Sequence, residues 1–320
     1  MHLEKVEKKL FILKINSYIY LNFKQLNRMN NFIQSYKLIL EELTTNCLHI
    51  TSFKQIKQPK LSNLELTALN LTAEYSSINT ECQLFRTIKG TELEFKIERS
   101  NYNKRRRKLF GYMEEIRKCL SEKFTELTDV FIVDSTPIEI CKIGRAKRSG
   151  ICSTNDILPA FGYCAAQKSR YFGYKLHAVC DKNGVFHSFD LTPANVHDVN
   201  YLKDIKHNFE NCTIIGDRGY ISADYQVDLF NSSNINLSVP KRKNQPFLTC
   251  FSYTKSKIRK RIETAFSQLS GQFMLHINYA KTFQGLATRL LSKIASFTMI
   301  QYINFFVAKR SLNKIKINLC

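Results

Sequence analysis

The stretch CTIIGDRGYIS, residues 212–222, sets an aspartate, Asp217, directly behind an apolar, β-branched run. A second stretch has the same form: DVFIVD, residues 129–134, ends its apolar run on Asp134. Runs this short and β-branched read as buried strands. In open α/β sheets the carboxyl ends of the strands border the crevice where ligands bind, so neighbouring strands of this kind bring two carboxylates side by side. Like charges at that range repel and raise each other's pKa unless a cation lies between them. A third acid follows in KSKIRKRIETAFSQL, residues 255–269. Ile258, Ile262, Phe266 and Leu269 form a helical packing stripe, Glu263 sits on its flank, and Arg259 lies one turn earlier on the same side. Packed on the sheet, such a helix leans Glu263 over the strand ends. Hard oxygen donors suit magnesium or manganese. Taken singly, Asp134 before Ser135 and Pro137, and Asp217-Arg218-Gly219, are also ordinary turn sequences. The three acids together, in order and on those elements, favour a metal site.

The surrounding chain supplies the elements. After DVFIVD a polar loop is expected to about residue 170, and residues 172–195 read as a hairpin turned at Asn183-Gly184. VNYLKDIKHNF fits a helix capped by Asp198, SADYQVDLFNSS a helix capped by Ser222, INLSVP a strand, and residues 255–274 a long helix. The order β-β-β-α-β-α-β-α implies an α/β architecture, a mixed sheet flanked by helices. Residues 1 to about 125 read as helical instead. Ser62 and Glu65 have capping-box spacing ahead of a helix over 63–76, and NTECQLFRTI and RRRKLFGYMEEIRKCLSEKF supply further helices. The cluster Lys104 to Lys108, with Arg105, Arg106 and Arg107 at its centre, is either a solvated helix face or a set of phosphate contacts.

Charge decides between those two. The formal net charge is +21, from 48 Lys and Arg against 27 Asp and Glu in 320 residues, and the excess is spread along the chain among Tyr and Phe. A polyanionic partner, nucleic acid above all, is the simplest explanation. The ten cysteines form no Cys-x-x-Cys pair and read as reduced thiols of a cytosolic protein. The segment LFILKINSYIYLN, residues 10–22, is interrupted by Lys14, and no run of about 18 apolar residues is evident, so no membrane partner is expected. His177, His187 and His197 fall at ten-residue intervals that match no metal-ligand pattern, and are read as strand and turn residues, with His197 and Asp198 of ANVHD near enough the active edge to influence DNA or metal indirectly. Lys175, on the hairpin, is a candidate DNA contact.

The chain resembles bacterial DDE transposases with an RNase H-like catalytic domain, most closely the family named after insertion sequence 982. The resemblance covers roughly residues 30 to 310. It rests on VFIVDSTPIEIC, YFGYKLHAVCD, LTPANVHD, IIGDRGYIS and RKRIETAFSQL, with LTAEY, LFR and SNYNKRRRKL upstream. It implies that Asp134, Asp217 and Glu263 are the metal-binding catalytic triad, served by two magnesium or manganese ions, and that Arg259 contacts DNA phosphate. Related transposases carry a Tyr seven residues before the glutamate and a Lys seven after it; Ser256 and Ser270 stand there in this chain, where Lys255, Lys257 or Lys260 could substitute. The organisation implied is an extension over 1–28, a helical DNA-binding module over 29–125, an RNase H-like catalytic domain over 126–310 and a basic tail over 311–320. The implied activity is metal-dependent cleavage and strand transfer at terminal inverted repeats, on double-stranded DNA of the element ends and target. It would be carried out by a homo-oligomer in the bacterial cytoplasm, at the nucleoid. A nuclease of the same fold that cuts without joining, and a DNA-binding remnant acting as a repressor, are the alternatives.

Overall fold

The structure is a computed structural model that describes residues 31–53, 57–125, 128–153, 157–240, 252–316 and 319. The expected extension over 1–28 lies outside them.

Helices come first. α1 covers 31–47, α2 Asn63–Tyr75, α3 Glu81–Thr87, α4 Arg99–Lys108 and α5 Phe110–Thr125. The capping box forms as read: the Glu65 N–H donates to Ser62 Oγ at 3.1 Å, and the Ser62 N–H to Glu65 Oε2 at 2.6 Å. The expected single helix over the basic cluster is divided at Leu109, so the arginines end α4 instead of starting α5. There they lie at a helix C-terminus, where cations are favoured.

The sheet is built from β1 (Val130–Cys141), β2 (Ala160–Cys164), β3 (Ser169–Asp181), β4 (Phe186–Pro193), β5 (Thr213–Ile215) and β6 (Asn236–Ser238). β3 pairs antiparallel with β1 along one side; along the other it pairs with β2 over its first half and β4 over its second. β5 then runs parallel to β1, and β6 parallel to β5. An antiparallel trio continued by two parallel strands is the RNase H-like order. The hairpin turns where the sequence indicated: Gly184 has φ 88°, a conformation costly for any residue with a side chain, and Asp181 Oδ1 accepts from the Asn183 and Val185 N–H groups.

One expectation is corrected. Asp134 does not end its strand: β1 continues to Cys141, and the supposed polar loop also contains a 3₁₀ turn, Ile143–Arg148, and β2. Asp134-Ser135-Thr136-Pro137 looks like a turn in isolation, but the 13-residue β3 offers a partner along the whole stretch, from Phe131 opposite Asp181 to Cys141 opposite Phe172. What does end beside Asp134 is β5, whose pairing with β1 stops at Ile132 and Ile215.

Four further helices follow: α6 (Leu202–Ile205), α7 (Ala223–Ser233), α8 (Tyr253–Gly271) and α9 (Phe283–Tyr302), the last not anticipated from the sequence. α9 is buried almost all round and packs on α2 and α5, with further contact to α4, α8 and β4. The segment Phe283–Val307 is long and apolar enough to cross a membrane, yet 83 % of its apolar window is buried inside the protein, as in a core helix. One face of the sheet, carrying Ile132, Leu176 and Ala178, joins α9 and the N-terminal helices in one hydrophobic cluster; the other, carrying Phe131, Val133 and Val179, packs on Tyr201, Leu202 and Leu229. The N-terminal helices and the sheet thus share a core. Buried Arg117 of α5 strengthens that junction, donating to the Phe186 and His187 carbonyls at 2.7 and 3.0 Å.

Candidate active site

Parallel register brings the two aspartates together. Ile132 faces Ile215 across β1 and β5; Asp134 and Asp217 each lie two residues further on, where β1 loses its parallel partner. A step of two keeps a side chain on its own face of the sheet, so Asp134 shares the face of Ile132, on which α8 lies. From α8, Arg259 reaches Asp134 Oδ2 at 3.8 Å and Glu263 Oε1 at 2.6 Å. Glu263 remains 49 % exposed. Asp217 caps the short turn Arg218–Tyr220, accepting from the Gly219 N–H at 2.7 Å.

Burial pushes the Asp134 carboxyl up to about 7, with the negative charges of Asp217 and Glu263 adding to the effect and the Ser135 N–H and Arg259 opposing it. Asp217 is raised too, by burial and by the charge of Asp198, against the Gly219 N–H, Arg259 and Lys175. These acids are therefore held in a setting that favours a bound cation. A consequence for stability follows. An Asp134 that titrates near 3.8 when unfolded and near 7 when folded penalises the native state as pH rises through that window. Asp134→Asn is expected to raise the chemical-denaturation midpoint in chelator at pH 8 and to leave it unchanged near pH 4. Equal gains at both pH values would exclude ionisation as the cause.

A fourth acid joins the three. Asp198 was expected to cap a helix, but it is the first residue of a 3₁₀ turn, Asp198–Tyr201, whose cap position is held by His197. Instead Asp198 Oδ1 accepts from Ser135 Oγ at 2.9 Å and forms an ion pair with Lys175 Nζ at 3.0 Å. A side chain at position 219 would come within 2.9 Å of Asp217 Oδ1 and 3.1 Å of Asp198 Oδ2, so glycine is what lets the two carboxylates approach. Lys175 also donates to the Val196 carbonyl at 2.8 Å, which makes it a counter-charge inside the site. His177 lies beneath, fully buried, stacked on Tyr201 and bonded to Thr192 Oγ1; burial holds its imidazole down to about 4, hence neutral. The sequence put Asp198, in ANVHD just past β4, near the active edge but did not identify its bonds to Ser135 and Lys175.

The basic cluster divides. Arg106 is turned inward, 3.3 Å from Glu81 and 5.5 Å from the Tyr102 ring centre, and is not available to a phosphate; α4's period puts it on the Tyr102 face. Arg105 donates to Asn63 Oδ1 at 2.7 Å. Lys104, Arg105, Arg107 and Lys108 line an open groove.

Among the described residues no group of three His, Cys, Asp or Glu side chains stands closed as a metal site. The donor chemistry nonetheless fits a divalent cation. Asp134 and Asp217 are half-buried and feel each other's charge, Arg259 is within ion-pair range of Asp134 and Glu263, and Glu263 is exposed enough to turn toward them.

The profile of the transposase DDE domain matches residues 125–299, the span from the end of α5 through most of α9. Among solved structures, the Mos1 transposase paired-end complex with left transposon end is 12 % identical, over 82 % of this chain and 85 % of that one, with a TM-score of 0.21. The Mos1 mariner paired end complex with Mn is 11 % identical, over 82 % and 86 %, with a TM-score of 0.22. Superposition at that level says nothing further about this chain. The match to the DDE domain extends over more than half of the sequence, and with strands, register and acids all lying within it, the chain belongs to the transposase DDE domain family.

Proposed function

We propose that the chain is an insertion-sequence transposase, of the insertion sequence 982 type, that binds terminal inverted repeats and carries out metal-dependent cleavage and strand transfer. The observation that carries this reading is the equivalence of Asp134 and Asp217 in the parallel register, under an α8 that presents Arg259 and Glu263 to the same place. Asp134, Asp217 and Glu263 would hold magnesium or manganese, and a pair of such ions supplies an activated water or 3′ hydroxyl and stabilises the leaving oxygen of a phosphodiester. Arg259, paired here with Asp134 and Glu263, would be free to meet a DNA phosphate if those acids held a cation. Lys175 and Ser135 hold Asp198 beside Asp217, keeping the strand-end loop in place. The test is divalent-dependent nicking of a labelled element end, followed by capture of the freed 3′ end in target DNA; cutting without capture would identify a nuclease.

In this reading the helical module over 29–125 supplies duplex contacts, and the assembly that joins two ends is a homo-oligomer. Each phosphate contact contributes about −0.9 to the log-log salt slope. Since Arg106 is turned inward, the informative variant neutralises Lys104, Arg107 and Lys108, and its slope should be shallower by up to about 3. Arg106→Ala should leave the slope alone and lower stability by removing the Glu81 pair. A slope unchanged in the triple variant would make the cluster a solvated surface.

A further inference from the structure

The groove beside α4 has a feature that duplex binding does not require. It is a cavity of about 920 Å³ between residues 57–60, the loop before α4 and α4 itself. Lys57, Lys60, Lys96, Lys104, Arg107 and Lys108 line it against one acid, Glu98. Such a wall favours a phosphate backbone. Into the same groove projects Phe95, which is 84 % exposed and has φ 63°. A large aromatic side chain in the left-handed region is strained, and leaving the ring in water forgoes the stabilisation that burial would give.

Phe95 is nevertheless held firmly. Leu93, two residues before it, is buried in the core; the Glu94 carboxylate accepts from the Gly90 N–H at 2.6 Å, and the Glu94 N–H donates to the Thr91 carbonyl at 3.0 Å. The loop therefore displays the ring instead of letting it fold back. Duplex DNA keeps its bases stacked inside, where a protruding ring reaches a base face only by wedging a step open at a cost of about a few kcal/mol. An unpaired strand offers a base face to an aromatic side chain and a phosphate to each neighbouring lysine, and that combination of chemistries is how single strands are bound without regard to sequence.

We propose that this groove binds an unpaired nucleotide segment of DNA, with a base stacked on Phe95 and its flanking phosphates on the lysines of α4 and residues 57–60. The ligand is a short single-stranded flap or frayed end continuous with a duplex. This deepens the DNA-binding reading above and rests on it.

The experiment titrates the full chain with three fluorescent probes: a blunt duplex, the same duplex carrying a three-nucleotide single-stranded flap, and the single strand alone. Wild type should bind the flapped duplex about tenfold more tightly than the blunt one, the effect expected of one stacked base. Phe95→Ala should abolish that preference while keeping blunt-duplex affinity and the thermal midpoint, and Phe95→Trp should restore it. No preference in wild type, or a preference that survives in Phe95→Ala, would overturn the proposal. The Lys104, Arg107 and Lys108 variant separates the two readings. A shallower salt slope on the blunt duplex with no flap preference in wild type defeats the stacking site alone. A Phe95-dependent preference with an unaltered slope defeats the duplex reading of the cluster and keeps the stacking site.

Discussion

Asp134→Asn and Asp217→Asn proteins should nick a labelled element end slower than wild type by roughly three orders of magnitude. The basis is the contribution of a bound metal to such a reaction, several kcal/mol of charge stabilisation, each 1.4 kcal/mol of which is a factor of ten in rate. The amide keeps the size and one oxygen of the carboxylate but removes the charge that retains the ion. Glu263→Gln should lower the rate as well. Binding of the same DNA should persist in all three, because phosphate contacts elsewhere on a chain of net charge +21 carry it. Folding should persist also, since burial and mutual repulsion already press Asp134 toward its neutral form. The measurements are a time course of nicking in magnesium or manganese and a binding titration on each protein. A second readout needs no catalysis: the divalent ion should raise the thermal midpoint of wild type, and much less that of Asp217→Asn. If Asp217→Asn cuts as fast as wild type and gains as much stability from the ion, Asp217 is only the cap of its 3₁₀ turn.

The part of this site that was legible in the sequence is the part set by short-range pattern. An acid at the end of an apolar run, an i,i+4 Arg-Glu pair flanking a helical stripe, and a Gly two residues past Asp217 can all be read without knowing which strands adjoin. What pattern does not carry is tertiary pairing. Ser135-Thr136-Pro137 resembles a turn until β3 lies alongside it, and Asp198 resembles a helix cap until Lys175 and Ser135 are found bonded to it. Arg106 is the same lesson in the basic cluster: three arginines in a row point in three directions on a helix, and only the Tyr102 and Glu81 neighbours reveal which is buried. α9 was missed for another reason. A helix buried on every side loses the polar face that gives amphipathic helices their period, and its polar members Thr288, Ser292, Lys293 and Ser296 find partners inside the core.

Lys293 leads to the largest stability effect expected. Its ammonium is 1 % exposed and donates at 2.6 Å both to Glu74 Oε2 of α2, itself 4 % exposed, and to the Phe273 carbonyl just after α8. Burial lowers the lysine's pKa, against the pull of Glu74, so the charge is kept by its partners. This one side chain ties α2 of the N-terminal helices and the end of α8, the helix carrying Arg259 and Glu263, to the central α9. Lys293→Met fits the space but leaves the Glu74 carboxylate buried without its cation, and breaking a buried pair from one side costs about 3–5 kcal/mol. The urea midpoint should fall accordingly with the slope m unchanged, which is the mark of altered stability and not of an altered unfolded state. Glu74→Leu combined with Lys293→Met removes both charges together and should recover most of the loss, since a buried pair is often matched by apolar residues of similar volume. At a temperature where the single variant is still folded, nicking per folded molecule should equal wild type, because the pair lies in the core seam and not among the acids. A Lys293→Met protein within about 0.5 kcal/mol of wild type, the range of ordinary surface substitutions, would show that α2 and α9 are held by their apolar contacts alone and that the ion pair adds nothing to the seam.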